Sequence, residues 1–180
     1  MNKEKDLIEG CKKGDRQSFE SLYKKYAGKL LSIAMRYSFT TFEAEDILQD
    51  AFIKIFKSIH SYEYKGSFEG WLKRIVVTTA INQYQKGKQS QVQSDPFLVE
   101  EEIEMGADII SKISADELLA VIQTIPPGYR MIFNLYVIEG YTHKEIADLL
   151  SITEGTSKSQ LAKGKALLKN KLIQKGIVVV

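Results

Sequence analysis

Between Gly155 and Lys171 the chain reads GTSKSQLAKGKALLKNK, with five lysines and no acid. Ammonium groups at this density either keep a helix face solvated or meet an anionic partner such as the phosphates of a nucleic acid. On a helix at 100° per residue, Ser157, Leu161, Gly164 and Leu168 share one face. Ser159, Lys163 and Asn170 point directly away from it. Lys158, Lys165 and Lys169 form a basic edge. Short polar groups aimed into a groove, with lysines along the edge for phosphates, are what a recognition helix requires. The candidate DNA contacts here are Thr156, Lys158, Ser159, Gln160, Lys163, Lys165 and Lys169. Ser159 and Lys163 would face bases, and the edge lysines would face the backbone.

Other residues with chemical potential do not converge. Asp46 and Asp50 are a carboxylate pair one helical turn apart, a spacing that acid–base chemistry can use. They share an open helix face with Gln49 and Ile53, however, and a mixed acid, amide and aliphatic face suits a protein partner. The two histidines, His60 and His143, are far apart, and there is one cysteine, Cys11. No zinc-ligand spacing can be built from them. A lone cysteine excludes an internal disulfide and fits a reducing cytosol. No Gly-rich phosphate loop and no nucleophile–base pattern is present. The expectation is a chain that is not an enzyme and uses no cofactor and no metal.

The elements that must position these residues read as helices throughout. Phe19, Leu22, Tyr23, Tyr26, Leu30 and Ile33 recur at helical spacing. Thr40 to Glu43 offers a capping box for a helix from Thr41, whose inward stripe is Ile47, Leu48, Ala51, Phe52, Ile55, Phe56 and Ile59. An aromatic turn, SYEYKGS, leads to a helix over 67–86 with Phe68, Trp71, Leu72, Ile75 and Thr79 inward. Opposite that apolar face, Arg74, Thr78, Asn82, Gln85 and Lys86 form a polar stripe ending in a cation, suited to DNA. Periodicity then fails from Gly87 to about Ser114, apart from a short helical stretch near Ile109–Ile113. Ser114 to Glu117 is a second capping box and Thr142 to Glu145 a third. Breaks fall at Pro126-Pro127 and at Glu139-Gly140. Ser151-Ile152-Thr153 is a tight turn with Ile152 plugging the core and Thr153 as N-cap of a helix from Glu154. A short helix, the small residue Ala147, a tight turn and a basic helix together make a helix-turn-helix.

Composition agrees with a two-part helical protein. The 180 residues are 44% hydrophobic and 27% charged, ordinary for a soluble chain. No apolar run approaches the roughly 20 residues of a membrane helix, and the polar start MNKEKDLIEG has no signal-peptide core. Residues 1–90 hold sixteen Lys/Arg against eleven acids, residues 91–117 one lysine against eight, and residues 118–180 eight against four. Two basic blocks thus flank an acidic bridge. The fold class expected is all-α, with two small helical domains over 1–88 and 114–180 and a flexible acidic linker over 89–113. EEEIEMGAD within that linker is either a solubilising tether or a segment that masks the basic blocks in the free protein.

THKEIADLLSITEGTSKSQLAKGKALL, preceded by IPPGYRMIFNLYVIEGY, resembles the fourth region of bacterial sigma factors of the extracytoplasmic-function (ECF) group of the sigma-70 family. AEDILQDAFIKIF and GSFEGWLKRIVVTTAINQYQK are similar to the second region's polymerase-binding helix and its promoter-melting, minus-ten helix. The two matches cover nearly the whole chain outside the linker, in the family's order. The absence of a further domain between them fits the two-domain ECF group.

That resemblance implies a cytoplasmic initiation subunit, monomeric when free and not inserted in a membrane. Its partners would be core RNA polymerase, promoter DNA and an anti-sigma factor. Asp46, Gln49, Asp50 and Ile53 would contact the polymerase clamp. Tyr62, Tyr64, Lys65, Arg74, Thr78, Asn82, Gln85 and Lys86 would read the minus-ten element, with Tyr62, Tyr64 and Lys65 in the loop that captures a flipped non-template base. The helix from Glu154 would read the minus-thirty-five element. Many relatives carry arginines where this chain has Gln160, Lys163 and Lys165, and lysine cannot form arginine's bidentate fork to guanine. Thr78 stands where asparagine is frequent, and Gly164 replaces a usual alanine at a cost of up to about 1 kcal/mol of helix stability. These departures bear on which promoter is read rather than on DNA binding. The competing reading is a stand-alone helix-turn-helix regulator, which would need neither the AEDILQD face nor the aromatic loop.

Overall fold

The computed structural model describes residues 3–90 and 114–176, and its described residues form helices joined by turns. They are α1 (Lys3–Lys12), α2 (Arg16–Met35), α3 (Thr41–Ser58), α4 (Phe68–Ser90), α5 (Ala115–Ile122), α6 (Pro127–Phe133), α7 (His143–Leu150) and α8 (Glu154–Gln174). The acidic stretch EEEIEMGAD and the helical stretch expected near Ile109–Ile113 lie outside the described residues. Contacts divide the chain into one unit of Met1–Met35 with Thr40–Gln83 and another of Arg36–Phe39 with Tyr84–Val180. This division differs from the expected continuous blocks at Arg36–Phe39 and at the C-terminal end of α4.

In the first unit, Leu22, Tyr26, Leu30 and Ala34 of α2 are buried at four-residue intervals. They meet the stripe Ala44, Ile47, Leu48, Ala51, Phe52 and Ile55 of α3. Thr40 caps α3 by accepting from the Glu43 N–H, which satisfies one of the donors a helix start leaves open. Ring pairs reinforce the seam: Phe19 lies 4.7 Å from Phe56 and Tyr23 4.7 Å from Phe52. From α4 the unit buries Phe68, Leu72, Val76, Val77, Ala80 and Ile81. Thr79 is buried as well, donating to the Ile75 carbonyl and accepting from Lys54 Nζ at 3.0 Å. Trp71 and Ile75, expected inward, are half-buried. The short helix α1 packs Ile8 and Cys11 inward, and its Glu4 accepts hydrogen bonds from the Tyr26 hydroxyl and Lys25 of α2.

In the second unit, α5 and α7 begin with complete capping boxes, Ser114 with Glu117 and Thr142 with Glu145. Pro127 occupies the first turn of α6, where its missing N–H costs nothing. After Phe133 the backbone widens by one residue per turn, with Glu139 N–H bonded to Asn134 O at 2.9 Å, and no sequence signal marks this. Arg130 is 2% exposed yet satisfied, donating from Nη1 to the carbonyls of Ser38 and Gln123. The α7–α8 turn is closed by Ser151 in the left-handed region (φ 53°), and Ile152 is half-buried. Ser157, Leu161, Gly164 and Leu168 of α8 are all buried, as their spacing requires.

Gly164 marks a close crossing of α8 on α6. A Cβ there would stand 3.3 Å from Tyr129 Cβ and 3.4 Å from Tyr129 O of α6. His143, at the start of α7, is hydrogen-bonded through Nδ1 to the buried Ser157 Oγ at 2.9 Å and stacks on Tyr136 with ring centroids 4.4 Å apart. Partial burial, followed by the charge of Lys158, pulls its imidazole below the ordinary value of 6.5.

Two predictions follow from this crossing. Gly164→Val introduces branched bulk against the α6 backbone and should lower unfolding free energy by about 1–3 kcal/mol. An unchanged urea midpoint would show a looser crossing. His143 holds fewer protons folded than unfolded, so its contribution to stability is present above pH 6.5 and lost as pH falls through its lower folded value. The thermal midpoint should therefore drop between pH 7 and pH 5.5, and His143→Gln should flatten that slope.

Candidate nucleic-acid and polymerase interface

The outer side of α8 is basic because its inner side is committed to packing. Lys158 and Ser159 are exposed, while Gln160, Lys163, Lys165 and Lys169 are half-buried. Among the described residues, none of these four lysines is ion-paired. Thr153 caps the helix by accepting from the Thr156 N–H at 3.0 Å, and the Thr153 and Thr156 hydroxyls lie 2.9 Å apart. Thr156 is thus part of the cap that orients the helix. Gln160 leans towards α6, its Oε1 lying 3.4 Å from where a Gly128 Cβ would sit.

In the first unit, α3 and α4 each expose a polar face. Asp46, Gln49 and Asp50 are exposed on α3 beside Ile53, which is 45% exposed. Asp50 Oδ2 accepts from Gln83 Nε2 of α4 at 3.2 Å. Arg74, Thr78 and Asn82 are exposed along α4. The expected stripe does not continue uniformly. Gln85 is half-buried and donates to the Leu149 carbonyl at 2.6 Å, within the second unit, while Lys86 is exposed.

The loop between Tyr62 and Ser67 separates its two tyrosines. Tyr62 is 5% exposed, its ring packed on Phe68 and Trp71, and its hydroxyl donates to Gly66 O at 3.0 Å. It is a core residue that shapes the loop, and its ring is not open to a base in this conformation. Tyr64 faces outward, 40% exposed, with φ at 61°. Gly66 follows at φ 81°, where only glycine fits without strain. Lys65 is exposed and pairs with Glu63 at 2.6 Å. Beneath the loop lies a cleft of about 200 Å³ lined by Tyr62, Tyr64, Ser67 and Phe68 and, from α1, by Glu4 and Lys5. Sequence reasoning missed the part played by α1, since residues some 55 positions apart carry no local signal of contact. Among the described residues no group of three or more His, Cys, Asp or Glu side chains is arranged to hold a metal.

Comparison with known proteins fits this geometry. Residues 22–90 match the family model of sigma-70 region 2, and residues 115–168 match that of sigma-70 region 4. The chain is 28% identical over 177 residues to the ECF RNA polymerase sigma-E factor of Escherichia coli strain K12, covering 92% of each chain. It is 27% identical over 176 residues to the RNA polymerase sigma-H factor of Pseudomonas aeruginosa, covering 92% of this chain and 91% of that one. Its fold is similar to that of the sigma factor RpoE of Bartonella quintana, solved in complex with the anti-sigma factor NepR. That likeness has a TM-score of 0.50 and 20% identity over 87% of this chain and 97% of that one. With both regions matched in order and nearly the full length of its relatives covered, the chain belongs to the ECF group of the sigma-70 family of RNA polymerase sigma factors.

Proposed function

We propose that this chain binds core RNA polymerase and directs it to promoters whose minus-ten and minus-thirty-five elements it reads with separate domains. The observation that carries the proposal is the matching of both sigma regions, in order, on a chain that presents a polar surface in each. The division of labour is residues 1–88 for polymerase and the minus-ten element, 89–113 as linker, and 114–180 for the minus-thirty-five element. The chain acts without catalysis of its own, in the cytoplasm, as a monomer when free. No described helix is long and apolar enough to cross a membrane. An anti-sigma factor is proposed as its regulator, as the Bartonella quintana protein has one bound.

On α3, Asp46, Gln49, Asp50 and Ile53 form the polymerase contact. Their joint exposure supports this, because an exposed aliphatic flanked by acids and an amide resembles the surface of a protein interface. On α4, Arg74, Thr78 and Asn82 meet minus-ten DNA, with Lys86 supplying backbone charge. Gln85 reaches DNA only if its bond to Leu149 O is released. In the loop, Tyr64 stacks an unpaired base and Lys65 approaches the backbone, since base–aromatic stacking offsets the cost of unstacking. On α8, Ser159 and Lys163 face bases, Lys158, Lys165 and Lys169 face phosphates, and Thr156 and Gln160 complete the DNA contact, with Thr156 also closing the cap at the helix start.

Run-off transcription with core polymerase on a genomic promoter library tests the whole reading. Transcripts starting downstream of a shared two-part motif are expected, and no transcripts above those of core polymerase alone would refute it. Asp46→Arg should weaken association with core polymerase by about tenfold, because reversing a rim charge opposes the encounter, while leaving the thermal midpoint unchanged. Lys163→Ala should change the sequence preference of the minus-thirty-five element. Lys158→Ala or Lys169→Ala should weaken all sites alike and reduce the slope of log affinity against log salt by about 0.9, one phosphate's share.

A further inference from the structure

Tyr64 is held from outside its own loop. Its backbone sits in the left-handed region at φ 61°, which bulky residues rarely adopt unless surrounding contacts enforce it. The enforcing contacts come from α1. The Tyr64 hydroxyl donates to Glu9 Oε1 at 2.5 Å, the Lys12 ammonium lies 4.5 Å from the ring centroid, and Lys5 approaches at 5.9 Å. Lys12 also pairs with Glu9 at 3.5 Å. Tyr62 backs the ring from the core, with centroids 5.1 Å apart. Desolvation and the bond to Glu9 push the Tyr64 phenol up to about 12, so its hydroxyl remains a donor at neutral pH. A ring fixed in this way is 40% exposed and does not collapse into the core as Tyr62 does.

We propose that Glu9 and Lys12 of α1 are positioning residues for Tyr64, holding its ring outward beside the cleft so that an unpaired base meets a preformed aromatic group and stacks where the Lys12 ammonium covers the ring in the free protein. This rests on the reading of the loop as the site that captures a base. Fixing an aromatic platform before binding removes an ordering cost from the encounter. The two cations beside the ring, Lys5 and Lys12, add positive charge where the backbone of a single strand would pass. Glu9 touches no DNA in this account and acts only through Tyr64.

The test uses full-length protein assembled with core polymerase and a pool of fork-junction duplexes. Six non-template bases in the pool are unpaired and randomised, and a fully paired pool serves as control. Wild-type holoenzyme should enrich a base at one unpaired position. Tyr64→Ala should abolish that enrichment and weaken binding to forked DNA. Glu9→Ala should weaken forked binding by roughly three- to tenfold, the range for losing one charge-assisted hydrogen bond, with the paired control unmoved. Glu9→Gln keeps an acceptor and should restore most of the loss. Tyr64→Phe should match Glu9→Ala, and the double variant should be no worse than either single one. If Tyr64→Ala weakens forked binding while Glu9→Ala and Lys12→Gln do not, the positioning role is overturned and the base-capture reading stands. If Tyr64→Ala has no effect, base capture by this loop fails and the positioning role fails with it.

Discussion

The lysine-bearing helix α8 can turn its polar side outward only because its other side lies directly against Tyr129 of α6. Gly164 leaves 3.3–3.4 Å between a notional Cβ and that residue, and Ser157, fully buried, shares a hydrogen bond between its hydroxyl and His143 Nδ1. Any larger pair at these positions would lift or rotate the helix. A rotation of one residue, about 100°, would bring Lys158 or Lys165 towards the core. Small inward residues therefore decide which side chains face the solvent. The same constraint operates on α4, where burial of Leu72, Val76 and Ala80 leaves Arg74, Thr78 and Asn82 outside.

The free protein holds these surfaces at low internal cost. Lys158, Lys163, Lys165 and Lys169 have no described carboxylate partner, so docking on phosphate breaks no ion pair within the described residues. An exposed pair would have mattered little in any case, being worth about 0–1 kcal/mol. The gain on binding comes from counterion release and scales with the number of phosphates met. Sequence discrimination must come from fewer groups, and the lysines of α8 lack the bidentate reach to guanine that arginine has. The cap built by Thr153 and Thr156 fixes the start of α8, and with it the direction in which Ser159 and Lys163 project.

Local rules made much of this legible. The capping boxes at Ser114 and Thr142, the N-caps at Thr40 and Thr153, and the buried set Ser157, Leu161, Gly164 and Leu168 all follow from interactions within a few residues of each other. What depended on distant partners was not legible. Tyr62 and Tyr64 look equivalent in sequence, but the left-handed backbone at Tyr64 turns one ring inward and the other out. The reason for the outward ring is Glu9, on a helix the polar N-terminal sequence does not advertise. Arg130 carries no local signal of burial, which the distant carbonyl of Ser38 and that of Gln123 make possible. Gln85 lies on a helix face that looks free until Leu149 O is placed beside it.

The central claim is that one chain grips a promoter at two points and does so for polymerase. Hydroxyl-radical footprinting of a promoter fragment, with the protein alone and with core polymerase added, tests it most directly. The account predicts two separate protected patches, at the minus-ten and minus-thirty-five elements, that require core polymerase, with unpaired bases in the downstream patch. A single patch, equally strong without polymerase and with the duplex closed throughout, would contradict it and identify an operator-binding regulator instead.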